Sequence, residues 1–150
     1  MTSDLITALK NMMKKEISSG HTATPAKILD FNQNTCKATI KPLATDETGE
    51  EYPSILNVPV FFPTFGGCQI SFPVKKNDYC LLIYCENDLS KWSGNGDGKK
   101  RIGTGSLNNA VALIGFSNSP NTSDIQEAQN NDCIVIRGNV KVYGTVSEEK

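Results

Sequence analysis

Groups able to do covalent or metal chemistry are few in this chain, and they are scattered. The one histidine, His21, sits in the polar connector SSGHTAT, and no Ser, Cys or carboxylate stands beside it as a nucleophile would beside its base. It reads as a solvated linker residue. The five cysteines, Cys36, Cys68, Cys80, Cys85 and Cys133, are odd in number and contain no C-x-x-C. Neither a disulfide framework nor a common zinc site is signalled, and the expectation is reduced thiols buried in a core. Cys80 and Cys85, five residues apart, would fall on opposite faces of a strand. The run GNGDGKK invites comparison with phosphate-cradling loops. That pattern needs Gly where Ser93 stands and Ser or Thr where Lys100 stands, so it fails. The same loop lacks the alternating carboxylates and closing Glu of an EF-hand. No catalytic residue, metal or cofactor is expected, and the chain is read as something other than an enzyme.

What remains is a scaffold. With 150 residues, 38% of them hydrophobic and 21% charged, the chain has the profile of one ordinary domain with short appendages. Fifteen basic and sixteen acidic residues leave a formal charge of -1, which offers no general attraction for nucleic acid or an anionic membrane. No stretch approaches the roughly 18 apolar residues of a membrane span. The start MTSDLITALKNMMKKE lacks the layout of a signal peptide, so folding in a cytoplasm is the expectation.

Leu5, Ile6, Leu9, Met12, Met13 and Ile17 recur at helical spacing, with Lys10, Lys14 and Lys15 on much of the other side. Thr2 or Ser3 can cap this helix and Gly20 can end it. Its apolar stripe must cover its own domain or a neighbouring subunit. Beyond Gly20 the period changes to two. TPAKILDFN and TCKATIKPL flank NQN as a hairpin, with Asn suited to left-handed backbone. ILNVPVFFP and GCQISFP are joined by Thr64, Phe65, Gly66 and Gly67. In the second of these, Cys68, Ile70 and Phe72 alternate with Gln69 and Ser71, as in a strand with one covered face. Pro59, Pro63 and Pro73 belong at strand ends, bulges or edges because they cannot donate to a ladder. After a turn at VKKND, YCLLIYC is apolar on both faces, which predicts cover on both sides. NAVALIGF is a further strand. Five or six short strands with one helix predict a small closed or partly closed barrel, OB-like in type. Between the last two strands runs a loop of some twenty residues with the sole Trp, Trp92, expected to anchor that loop onto the barrel.

The C-terminal stretch repeats. Written as IVIRGN, VKVYGT and VSEEK, it aligns Ile134 with Val140 and Val146, Ile136 with Val142, and Gly138 with Gly144. Alternate residues are apolar and each Gly permits a bend. So few units cannot enclose a core, because repeat structures need about three stacked units. Three copies wound about one axis would bury the rows of Ile134, Ile136, Val140, Val142 and Val146 and expose Arg137, Lys141 and Tyr143. A plain hairpin returning to the barrel is the alternative.

The ordered set VPVFFPTFGGCQISFPVKKNDYCLLIYCENDLSKW followed by GSLNNAVALIGF resembles the N-terminal domain of phage baseplate central spike proteins, from about Ala23 to Phe116. The matching positions are Val58, Pro59, Val60, Phe62, Pro63, Gly66, Gly67, Phe72, Pro73, Val74, Asp78, Asp88 and Trp92. Asn77 stands where that pattern has Gly, a tolerable exchange because Asn also enters the left-handed region. The resemblance implies an all-β protein: an OB-fold barrel preceded by an N-terminal helix and followed by a short, intertwined, triple-stranded β-helix. The corresponding segments are 1–20 for the helix, 21–120 for the barrel, 121–131 for a linker and 132–150 for the spike tail. It also implies a homotrimer in the virion, assembled in the host cytoplasm. There it would sit at the centre of a contractile tail baseplate, against hub or tail tube proteins, and engage the host cell envelope. The short repeat, with no His-x-His pair, implies a blunt tip or a platform for a separate tip protein. The rival reading is an OB-fold binder of single-stranded nucleic acid using Phe61, Phe65 or Tyr84 as stacking platforms and GKKR as a basic patch. Balanced charge and the repeating tail argue against it, and no nucleic-acid partner is expected.

Overall fold

A computed structural model describes residues 2–18, 22–98 and 107–146. Gly20, His21, most of GKKR and the terminal SEEK run lie outside the described residues, as do the side chains of Thr2, Ser3, Lys14, Lys15 and Ile17. The chain forms two compact units, Met1–Ser117 and Asn118–Lys150.

In the first unit, helix α1 (Thr2–Ser18) precedes strands β1 (Ala23–Asn32), β2 (Lys37–Pro42), β3 (Ile55–Phe61), β4 (Thr64–Phe65), β5 (Cys68–Gln69), β6 (Tyr79–Tyr84) and β7 (Ala110–Ile114). Five of these close into a barrel in the order β1-β2-β3-β7-β6. All neighbours in it are antiparallel except β3 and β7, which run parallel. The OB-like barrel expected from the strand count is therefore present. Its core follows from period-two alternation: Ala26 and Ile28, Ala38 and Ile40, Val58 and Val60, Cys80, Leu82 and Tyr84, and Ala110 and Ala112 all point inward and are buried.

Two register shifts let so few strands curl shut. Between Ile28 and Asp30, β1 gains a residue over β2, and β3 gains one between Ile55 and Val58. The β3 bulge holds Asn57 at φ 58°, a left-handed conformation that Asn tolerates better than most residues. Extra residues on one strand bend it and raise the local twist, which is what closure requires.

Several sequence expectations are revised. The β1–β2 turn puts Cys36, not an Asn, at positive φ (52°), while the Asn32 carboxamide oxygen accepts from the Asn34 and Thr35 amides. GCQISFP forms only the two residues of β5, and Cys68, Ile70 and Phe72 are all exposed. A two-residue hairpin arm bounded by Pro63 and Pro73 has no third strand to cover it. The run YCLLIYC is buried on one face only: Cys80, Leu82 and Tyr84 point in, while Leu81 is half-buried and Ile83 is exposed. Trp92 is 68% exposed, not buried against the barrel as the loop anchor expected.

The thiols also divide. Cys80 is buried, Cys85 half-buried, and Cys36, Cys68 and Cys133 are exposed, so the expectation of core thiols holds only in part. Burial pushes the Cys80 thiol up to about 11, and the thiolate is the reactive form. A maleimide titration of the native protein at neutral pH, read by mass spectrometry, is expected to modify Cys36, Cys68 and Cys133 quickly. Cys80 should react only after denaturant is added; rapid native labelling of Cys80 would contradict the closed barrel.

In the second unit, the 121–131 connector holds helix α2 (Thr122–Asn131). Asn121 caps it, its side-chain oxygen accepting from the Ser123 and Asp124 amides. The helix ends at Asp132 in left-handed conformation, φ 49°. Among the described residues, no helix is long and apolar enough to cross a membrane.

Candidate functional site

No described group of three His, Cys, Asp or Glu side chains could hold a metal ion. The features that could serve a function are surfaces and the turns that shape them, so the residues singled out by motif are best judged by what each positions.

Val58 and Val60 are core residues of β3, with Pro59 half-buried between them. Phe62 leaves the strand to pack partly against the core, its ring 6.4 Å from that of Phe31. The Pro63 carbonyl accepts from the Ile70 amide at 3.0 Å, closing the base of the β4–β5 hairpin. At its tip Gly66 and Gly67 take φ of 54° and 81°, the left-handed pair that a two-residue hairpin turn demands. Phe72 and Pro73, both exposed, line an apolar surface pocket of about 300 Å³ with Val74, Ile114 and Phe116. In the turn after it, Asn77 adopts φ 73°, so the exchange of Gly for Asn there is accommodated as expected. An Asp78 carboxylate oxygen accepts from the Lys75 amide at 2.7 Å. The same turn is tied to β1 through both backbone groups of Ile28, bonded to the Asp78 carbonyl and the Asn77 amide at 2.9 and 2.7 Å.

Asp88 accepts from the amide and hydroxyl of Ser90, each at 2.9 Å, and so starts the long loop. What holds that loop to the barrel is Asn109, a residue that no motif singles out. It is the one buried polar residue among those described. Its amide nitrogen donates to the Cys85 and Asn87 carbonyls at 2.7 Å each, and its side-chain oxygen accepts from the Leu89 amide at 3.3 Å. A polar residue directly before an apolar strand was the available signal.

The tail residues lie open. Ile134 is 90% exposed and Val146 76%, with Ile136, Val140 and Val142 also exposed. Gly138 and Gly144, six residues apart, share positive φ of 117° and 134°, so the sequence period reappears as a period in backbone conformation. Lys141 lies over the Tyr143 ring at 4.7 Å. Arg137 donates from Nε to Asp124 at 2.6 Å, with a second bond from its terminal nitrogen, a two-pronged pairing of helix α2 with the first repeat.

The Arg137 hydrogen bond holds the Asp124 carboxyl below the usual carboxylate range. With a depressed folded pKa, the contribution of this pair is complete above the unfolded value of about 3.9 and is lost as pH falls through the folded value. An NMR acid titration is expected to show the Arg137 Nε–H resonance shifting with a midpoint below about 3.9, and Asp124→Asn is expected to remove that transition.

Residues 24–115 match a protein family described as "Phage protein Gp138 N-terminal domain". The chain belongs to this family. Membership in the Gp138 N-terminal domain family points to a phage structural protein, a component associated with the virion. The matched span covers the barrel from β1 to β7 and stops before α2. No curated protein gives a significant match. The Gp138 family does not favour single-strand nucleic-acid binding, and the stacking platform suggested for that role is incomplete, because Tyr84 is in the core.

Proposed function

We propose that this Gp138-family protein is the central spike of a contractile tail baseplate, a homotrimer whose barrels surround one axis and whose tails wind into a short β-prism. The observation that carries this reading is the wet apolar ridge of the tail. Ile134, Ile136, Val140, Val142 and Val146 repeat in register and are all exposed in a single chain. Leaving five aliphatic side chains in water forfeits about 1.5–3 kcal/mol for each one that a partner could fully bury. Three copies about an axis bury all of them at once and leave Arg137, Lys141 and Tyr143 outside.

The role is mechanical, not enzymatic. Such a prism shares load across many backbone hydrogen bonds and transmits the thrust of contraction to the host cell envelope. The N-terminal helix and the long loop dock to hub or tail tube proteins. Light scattering on the purified chain is expected to give three times 16.3 kDa. Removing residues 132–150 is expected to lower that mass or make it concentration-dependent. A stable single-chain mass for the intact protein would overturn the proposal.

A further inference from the structure

The chain leaves α2 at Asp132, whose left-handed φ of 49° turns it back. The Ala128 carbonyl accepts from both the Asp132 and the Cys133 amides, a helix stop of the left-handed kind. From Asp124 to Asp132 the helix rises about 12 Å, and the stretch from Asp132 to Arg137 covers about 16 Å when extended. The returning chain is therefore long enough to reach the first turn of α2, and there Arg137 donates both of its hydrogen bonds to the Asp124 carboxylate. On α2, Asp124 and Ala128 are half-buried while the other residues are exposed. Standing four apart, they share one helix face, and the small Ala128 lets the returning chain lie close to it.

Alternation sorts the residues of that chain. Val135 is half-buried and Arg137 is bonded to α2, whereas Ile134 and Ile136 are 90% and 67% exposed. Residues two apart share a side in a period-two segment, so 135 and 137 form the side toward α2, with 134 and 136 on the side away from it. The second repeat follows the same rule without a helix. Lys141 and Tyr143, the equivalents of Val135 and Arg137, lie against one another at 4.7 Å, and Val140 and Val142 stay exposed. In each repeat one side finds its contacts within the chain, and the apolar row is left open.

We propose that α2 is the outer backing of the first repeat and that the Asp124–Arg137 pair is an orienting clasp, which turns Ile134 and Ile136 toward the other two copies before they meet. The proposal rests on the trimeric reading of the tail and adds to it a pair of positioning residues outside the apolar interface. Residues 134–137 belong to no strand of the single chain, so they must be ordered when three copies wind together, and that ordering opposes assembly. A clasp already closed in the single chain removes part of the cost in advance. Arg137 is largely exposed, so one clasp alone has a modest effect. Repetition multiplies it, because the competent fraction of each chain enters the apparent dissociation constant once per copy. A twofold fall in that fraction weakens a trimer about eightfold.

The full chain is compared with Asp124→Asn, Arg137→Gln and the double variant by sedimentation equilibrium over a dilution series, with circular dichroism to confirm folding. Each variant is expected to raise the trimer dissociation constant roughly tenfold. The double variant should do no more than either single one, because all three remove the same clasp. Arg137→Lys, which keeps the charge and loses the two-pronged geometry, is expected to fall in between. Unchanged trimer affinity in every variant would overturn the clasp and leave the trimer standing, and so would losses that simply add. A wild-type chain that stays single at every concentration removes both. The assignment of sides has its own test, in a background where Cys36, Cys68 and Cys133 are changed to Ser. On oxidation, Ile136→Cys is expected to give chains linked in pairs on a non-reducing gel, and Val135→Cys is not. Pairs formed as readily through position 135 as through 136 would overturn the proposal whatever the clasp variants do.

Discussion

Replacing Asn109 by Ala is expected to lower the free energy of unfolding of the barrel by about 2–4 kcal/mol. Asn109 is 4% exposed and closes three side-chain bonds, to the Cys85 and Asn87 carbonyls and from the Leu89 amide. Alanine removes all three and strands those backbone groups in a place that water does not readily reach. The orientation of the carboxamide is settled by its partners, since two carbonyl oxygens can be met only by its nitrogen. A sharper variant follows from that. Asn109→Asp keeps shape and volume but turns an oxygen toward two oxygens and buries a charge, so it is expected to destabilise at least as much as Ala. Urea unfolding followed by circular dichroism measures both, and an Asp variant as stable as wild type would refute the bonding pattern. Because this residue ties the start of the long loop to the first residue position before β7, both variants are also expected to free the loop, seen as faster amide exchange at Leu89 and Ser90.

Leu82→Ala is the second large effect, expected at about 2–5 kcal/mol. Leu82 is fully buried and sits mid-strand in β6, paired with Thr24 on one side and Ala112 on the other. The core cluster it belongs to includes the small residues Ala26, Ala38, Ala110 and Ala112, so little bulk is available to collapse into the space it leaves. For a barrel of under 100 residues, each 1 kcal/mol shifts the melting temperature by about 4–8 °C, which puts the expected loss at about 8 °C or more. One residue along, Ile83→Ala removes an exposed side chain from the outer face and is expected to stay within about 1 kcal/mol in the isolated barrel. The contrast between adjacent positions checks the period of the strand. Equal losses at 82 and 83 would mean that both faces of β6 are covered.

The barrel was legible because alternation is a property of the strand itself. Ile28, Ile40, Val60, Leu82 and Ala112 announce an inward face through their spacing alone, and the turn at Gly66 and Gly67 through residue type. GCQISFP misled for the same reason: its alternation is genuine, but cover depends on a neighbouring strand, and between Pro63 and Pro73 the chain supplies only two residue pairs. Trp92 misled through its composition, since a large aromatic usually finds a surface to bury and this one does not. Asn109 shows in the sequence only as a polar residue ahead of an apolar strand, and its role does not, because its partners lie 20 to 24 residues back in the chain. The tail was legible as a period, and the conformations of Gly138 and Gly144 repeat with that period. What covers it is a property of several chains, and one sequence carries only the motive for assembly.

Closure of the five-stranded barrel limits how copies can recognise one another. Each strand already has a neighbour on both sides, so the wall offers no unpaired ladder onto which a foreign strand can zip. Fibre-like growth by strand addition at this wall is thereby discouraged. Recognition at this wall falls to outward side chains, which can be exchanged one at a time while the inward half of each strand goes on specifying the fold.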